Sequence, residues 1–122
     1  MENENAIRTK SLAFSKRVVF AYRYLCDDKR EFVLSKQFLR SGTSIGANIA
    51  EAQYGSSRKD FLNKLYIALK ECAETLYWLE LLHSCGYFSD SEYASLQADC
   101  DELRKLLAAI TKSVRDGKIP NS

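Results

Sequence analysis

The chain has 122 residues, 46% hydrophobic and 28% charged, enough for one globular domain around one core. Its net charge of +2 and pI of about 8.3 are milder than the values above about 9 that mark many dedicated nucleic-acid domains. No stretch approaches the roughly 18 apolar residues of a membrane span. Residues 1–11 are too polar for a signal peptide, so a cytoplasmic protein without membrane association is expected. The only proline is Pro120, and the absence of proline over the first 119 residues favours an all-helical chain.

Four helical segments are expected, at about 11–28, 34–54, 58–85 and 90–116, within a single domain spanning 1–122. The first carries Leu12, Phe14, Val18, Val19, Ala21, Tyr22, Leu25 and Cys26 on a wide apolar arc. Ala13, Phe20 and Tyr24 lie on another side of it. A bundle helix needs one buried face, so this second patch suggests a second partner or exposed aromatics. Asp27-Asp28-Lys29-Arg30 is a charged connector.

The second segment has Leu34, Phe38, Ser41, Ile45, Ile49 and Ala52 on its core face, and Gly55 fits the position just past its end. Two glycines interrupt its interior, each costing about 1 kcal/mol against alanine. Gly42, Gly46 and Ala50 recur every four residues and form a smooth stripe for close backbone approach. Arg40, Ser44, Asn48 and Glu51 form a polar stripe beside it, read as a hydrogen-bond network completed by a partner helix rather than as a ligand site.

Ser57, with Asp60 three residues on, is placed to cap the third helix. Leu62, Leu65, Leu69, Cys72, Leu76, Leu79 and His83 follow at alternating spacings of three and four. Gly86 ends that helix, and Ser89-Asp90-Ser91-Glu92 is a full capping box for the fourth. The same alternation places Tyr93, Leu96, Cys100, Leu103, Leu107, Ile110 and Val114 on one seam, stopped by Gly117 and Pro120. Two such seams joined by a short turn make an antiparallel hairpin. Short connections throughout then give an up-down-up-down four-helix bundle.

Charge is unevenly placed. Residues 8–26 hold Arg8, Lys10, Lys16, Arg17 and Arg23 with no acid, whereas residues 90–102 hold five acids and no base. The acidic run suits the amino-terminal end of a helix dipole and needs no metal. The basic run, through Lys10, Lys16, Arg17 and Arg23, is the candidate contact for phosphates.

Catalytic chemistry finds little support. Glu80-Leu81-Leu82-His83 has the Glu-x-x-His spacing of di-iron bundles, but that site needs two such motifs and His83 is the sole histidine. Gly42-x-x-x-Gly46 lacks the Gly-Lys-Ser/Thr ending of a phosphate-binding loop. Cys26, Cys72, Cys85 and Cys100 form no Cys-x-x-Cys pair and read as small apolar side chains. No cofactor, metal or catalytic residue is expected.

The run from Leu39 to Ala52, with Ser44-Ile45-Gly46-Ala47-Asn48-Ile49-Ala50-Glu51 at its centre, resembles the signature of the four-helix-bundle proteins encoded in bacterial 23S rRNA intervening sequences. Ser57-Arg58-Lys59-Asp60-Phe61, Ala68-Leu69 with Ala73-Glu74, and Gly86-Tyr87 before Glu92-Tyr93 extend the resemblance over about residues 10–115. Ala52 stands where a glycine is usual, and the first helix lacks the usual Trp-Gln pair. The resemblance implies a non-enzymatic bundle that associates into a homo-oligomeric ring, expected to be a pentamer. It also implies kinship with the accessory protein of diversity-generating retroelements, which works with nucleic acid. The expected partners are therefore copies of the chain itself and RNA or DNA. A protein-interaction scaffold, with Phe20 and Tyr24 in its contact surface, is the alternative.

Overall fold

The computed structural model describes residues 2–117, with side chains from residue 5 onward. Four helices account for most of them: α1 Glu2–Asp27, α2 Leu34–Ala52, α3 Arg58–Ser84 and α4 Asp90–Arg115. Each packs on its neighbours in chain order, and α1 closes on α4. Contacts across every seam run in opposite senses. Val18 faces Gly42 while Ser15 faces Gly46, Arg40 reaches Glu71 while Glu51 reaches Lys64, and Arg17 reaches Asp99 while Lys10 reaches Glu102. This is the up-down-up-down bundle that the short connections require. Pro120 lies outside the described residues.

The first helix starts well before Ser11. Ile7 is 2% exposed and falls in line with Ser11, Phe14, Val18 and Leu25, so the extra turns are held by docking Ile7 on the core. A single isoleucine in a polar stretch gives too little periodicity to mark a helix start. Leu12, expected on the buried arc, is 59% exposed.

On α3 the buried line is Phe61, Leu65, Ala68, Cys72, Thr75, Leu79 and Leu82. It shares Leu65, Cys72 and Leu79 with the expected seam, but Leu62, Leu69, Leu76 and His83 sit half-buried at its edge. The helix packs on α2 and α4 at once. Its core arc is therefore wider than a two-helix seam, and its midline rotates by about one residue. On α4 the expected residues are buried from Leu96 to Val114, while Tyr93 lies half-buried.

The helix ends mostly follow local chemistry. Ser89 Oγ accepts from the Glu92 amide at 3.1 Å, and Glu92 accepts in turn from the Ser89 amide at 2.7 Å. Ser57 Oγ accepts from the Asp60 amide, but the Asp60 carboxylate is taken by Ser56, so that cap is not reciprocal. Gly86 turns the chain at φ 84°. Gly55 does not play the expected role. The last turn of α2 tightens after Ala52, with Tyr54 and Gly55 donating to Glu51 and Ala52, and Gly55 lacks a positive φ. It is small because a Cβ there would lie 3.0 Å from the Phe61 amide nitrogen.

The start of α2 is capped by Glu31, a residue that no sequence signal singled out. Its buried carboxylate accepts from the amides of Val33, Leu34 and Ser35 at 3.2, 3.1 and 2.6 Å. Burial alone would push this carboxyl up, but the three amides, Ser35 foremost, outweigh it and hold it below its ordinary value. A depressed carboxyl stabilises the fold at neutral pH, and that contribution is lost as pH falls through the lowered folded value. Glu31→Ala is expected to cost about 1–2 kcal/mol in urea unfolding at pH 7. The gap from the parent should close below about pH 4, where glutamate protonates in the unfolded chain.

The glycine stripe lies on the α1 seam. A Cβ at Gly42 would sit 2.8 Å from both methyls of the fully buried Val18. One at Gly46 would sit 2.9 Å from Ser15 Oγ and 3.4 Å from the Ser11 carbonyl oxygen. Ala50 is exposed and takes no part in the closest approach.

Candidate functional site

The polar stripe of α2 faces α3, and its members divide into two kinds. Arg40 spans the seam to Glu71 at 3.3 Å and to Glu74, and Glu74 also accepts from Trp78 Nε1 at 2.9 Å. Glu51 pairs with Lys64 at 2.8 Å. Ser44 and Asn48 instead bond the carbonyls of Arg40 and Ser44 on their own helix. Deeper in the seam, Thr75 Oγ1 lies 3.0 Å from Ser41 Oγ. Each of the four side chains thus has at least one hydrogen-bond or ion-pair partner within the fold.

The basic run of α1 also divides. Arg17 reaches across to α4, with Asp99 at 2.7 Å, Ser95 Oγ at 2.9 Å and the Ser95 carbonyl at 3.2 Å. Lys10 pairs with Glu102 at 3.2 Å. These two cations tie α1 to the acidic run of α4, although their side chains stay 45% and 38% exposed. Asp101 stays on its own helix, where the Arg104 hydrogen bond, helped by Lys105, holds its carboxyl below the ordinary range. The acidic run is therefore both a helix-end complement and half of an interhelical lock.

Lys16 and Arg23 form no ion pair among the described residues, and neither does Arg8. All three are exposed. They alternate with Leu12, 59% exposed, and Phe20, 63% exposed, along the outward side of α1. Shallow hollows flank this side. One is lined by Arg8, Leu12, Ser15, Gly46, Ala47 and Ala50, and another by Leu12, Lys16, Val19, Phe20 and Arg23. Tyr24 faces differently. It is half-buried, with its ring stacked on Phe88 at a centroid distance of 6.5 Å, so of the two nominated aromatics only Phe20 is freely presented.

Cys85, read from sequence as a small apolar side chain, is exposed at the end of α3, whereas His83, Cys72 and Cys100 have structural partners. His83 Nε2 lies 2.7 Å from Asp90 Oδ1, and its ring stacks on Tyr93 at 4.3 Å, closing the α3–α4 turn. Cys72 and Cys100 are buried against each other across α3 and α4. Hydrogen bonding with Cys72, and then burial, push the Cys100 thiol far above its ordinary value, so it is not a thiolate nucleophile. No group of three or more His, Cys, Asp or Glu side chains among the described residues is placed to hold a metal ion. No described helix is long and apolar enough to cross a membrane.

The comparisons agree with the signature on α2. The family model of the 23S rRNA-intervening sequence protein matches residues 3–109. A crystal structure of a protein of unknown function from the S23 ribosomal protein family of Bacteroides thetaiotaomicron VPI-5482 is 53% identical and superposes with a TM-score of 0.89. The match covers 90% of this chain and 98% of that one. No curated protein matches.

Proposed function

We propose that this chain, which belongs to the family of 23S rRNA-intervening sequence proteins, works as a non-catalytic, self-associating helical bundle that holds RNA on the outward face of α1. The observation that carries the reading is the set of cations there that have no ion-pair partner among the described residues. Lys10 and Arg17 pair with acids of α4, but Arg8, Lys16 and Arg23 remain on a stretch with no acid between residues 8 and 26. Phosphates bind such cations by releasing counterions, which makes the affinity fall steeply with salt. Three cations on one bundle give weak binding. Several copies in a ring multiply the contact, because linked sites gain avidity.

The test is a titration of labelled structured RNA at low and at physiological salt. The Lys16→Glu/Arg23→Glu protein should lose at least tenfold in affinity at low salt while keeping its helical content. No measurable binding by the parent at low salt, or equal binding by parent and variant, would overturn the reading.

Exposed Leu12 and Phe20 favour the second reading, a protein-interaction scaffold. Under it the purified assembly has the absorbance ratio of free protein and carries one stoichiometric protein partner. Under the first reading nucleic acid co-purifies.

A further inference from the structure

Residues 20–32, the end of α1 and the loop beyond it, carry three cations that each lie over an aromatic ring. Arg23 sits 5.7 Å from the Phe20 centroid, Lys29 5.8 Å from Tyr24 and Arg30 5.2 Å from Phe32. Each pair joins residues close in sequence. Three within one short stretch make a local concentration. None of these cations has an ion-pair partner among the described residues. Phe20 and Phe32 are 63% and 46% exposed, so both rings keep area open to solvent.

The loop that presents Phe32 is held in shape. Arg30 adopts φ 56°, a left-handed conformation that costs a non-glycine residue about 1 kcal/mol or more. Immediately after it, Glu31 is anchored by three amides of the α2 start, and the Glu31 amide donates to the Leu25 carbonyl at 2.9 Å. The surrounding bonds thus hold the backbone that carries Arg30 and Phe32. Asp27 and Asp28 share this end of the bundle and temper its positive charge.

From this arrangement we infer that the α1–α2 end is a stacking platform for unpaired bases, with Phe20 and Phe32 taking base faces and Arg23, Lys29 and Arg30 taking the adjoining phosphates. The inference rests on the RNA reading above and names its ligand class: single-stranded or looped RNA in preference to a duplex. An exposed ring beside a cation matches the two needs of a single strand, a π-face for each base and a positive charge for each phosphate. A duplex hides its base faces in the stack and satisfies only the second need.

The experiment compares a labelled oligoadenylate, an abasic oligomer of the same length and backbone, and a duplex of that length. The parent protein should prefer oligoadenylate over the abasic strand and the duplex by about tenfold or more for each base stacked. Phe20→Ala/Phe32→Ala should bring the three ligands within about twofold, and Phe20→Tyr/Phe32→Tyr, which keeps the rings, should retain the preference. Circular dichroism shows that each variant is folded. Equal binding of oligoadenylate and abasic strand by the parent overturns the platform, as does a preference that survives loss of both rings. In either case salt-dependent binding that needs Lys16 and Arg23 would leave the RNA reading standing. Absence of binding to structured RNA and to all three ligands overturns both.

Discussion

Gly42→Leu should cost about 3 kcal/mol or more and disturb the seating of α1, because a side chain there meets Val18 where no space exists. Even a bare Cβ would lie 2.8 Å from both Val18 methyls. Valine has one strongly preferred rotamer in a helix, and Val18 is fully buried, so it has no room to turn away. Overpacking a dense core costs about 1–3 kcal/mol, and the further leucine atoms add to that. Alanine makes a sharper comparison. Both glycines would gain about 1 kcal/mol of helix propensity on becoming alanine. At Gly46 the nearest obstacle is Ser15 Oγ, the end of a side chain that can rotate, so Gly46→Ala should be close to neutral. At Gly42 the obstacle is fixed, so Gly42→Ala should lose stability. Gly46→Leu should also destabilise, since its longer side chain reaches the Ser11 backbone. Urea unfolding of the four variants tests the close-packing account, and a Gly42→Leu protein as stable as the parent would contradict it.

Removing Arg40 is the other large effect. Most surface ion pairs contribute less than about 1 kcal/mol. Arg40 differs because one guanidinium serves two carboxylates whose side chains are only 17% and 33% exposed, Glu71 and Glu74. Taking it away leaves two partly desolvated like charges one turn apart on α3, with Glu74 still engaged by Trp78. Arg40→Ala is expected to cost about 2–3 kcal/mol, in the range for hydrogen bonds to charged groups. Arg40→Lys should recover only part of the loss, because an ammonium lacks the fork that reaches both acids. Adding Glu71→Gln and Glu74→Gln to Arg40→Ala should restore much of the stability. A double-mutant cycle without such coupling would show that the network is ornamental.

The bundle was legible in the sequence because its signals are local. The alternating spacing on α4, the Ser89–Glu92 capping box and the Gly86 turn each act within a few residues, and the structure reproduces all three. The start of α1 was not legible, since Ile7 is helical by virtue of a distant core. The rotation of the α3 seam was missed for a related reason: Phe61, Ala68, Thr75 and Leu82 run at the same seven-residue spacing as Leu62, Leu69, Leu76 and His83, and only the packed helices decide which line is buried. Glu31 escaped notice because capping motifs are sought in Ser, Thr, Asp and Asn, whereas here a longer acid reaches forward to three amides. The basic run shows the same limit. The sequence showed five cations in one acid-free run, but which of them are paired depends on the facing acids of α4, 82 residues on for Arg17 and 92 for Lys10. The network on α2 was foreseen as a pattern, and its division between α3 partners and its own carbonyls emerged only from the packed helices.

That division of the α1 cations is also where the account is most exposed to test. The decisive measurement is the salt dependence of structured-RNA binding by two paired variants, Lys16→Gln/Arg23→Gln and Lys10→Gln/Arg17→Gln, beside the parent. The first pair has no ion-pair partner among the described residues, and the second pairs with Glu102 and Asp99. The account predicts that the first variant binds weakly and that its salt slope is shallower by about 1–2. It predicts that the second keeps nearly the parental slope while unfolding at lower urea. Equal losses of slope in both variants, or a larger loss in the second, would contradict it.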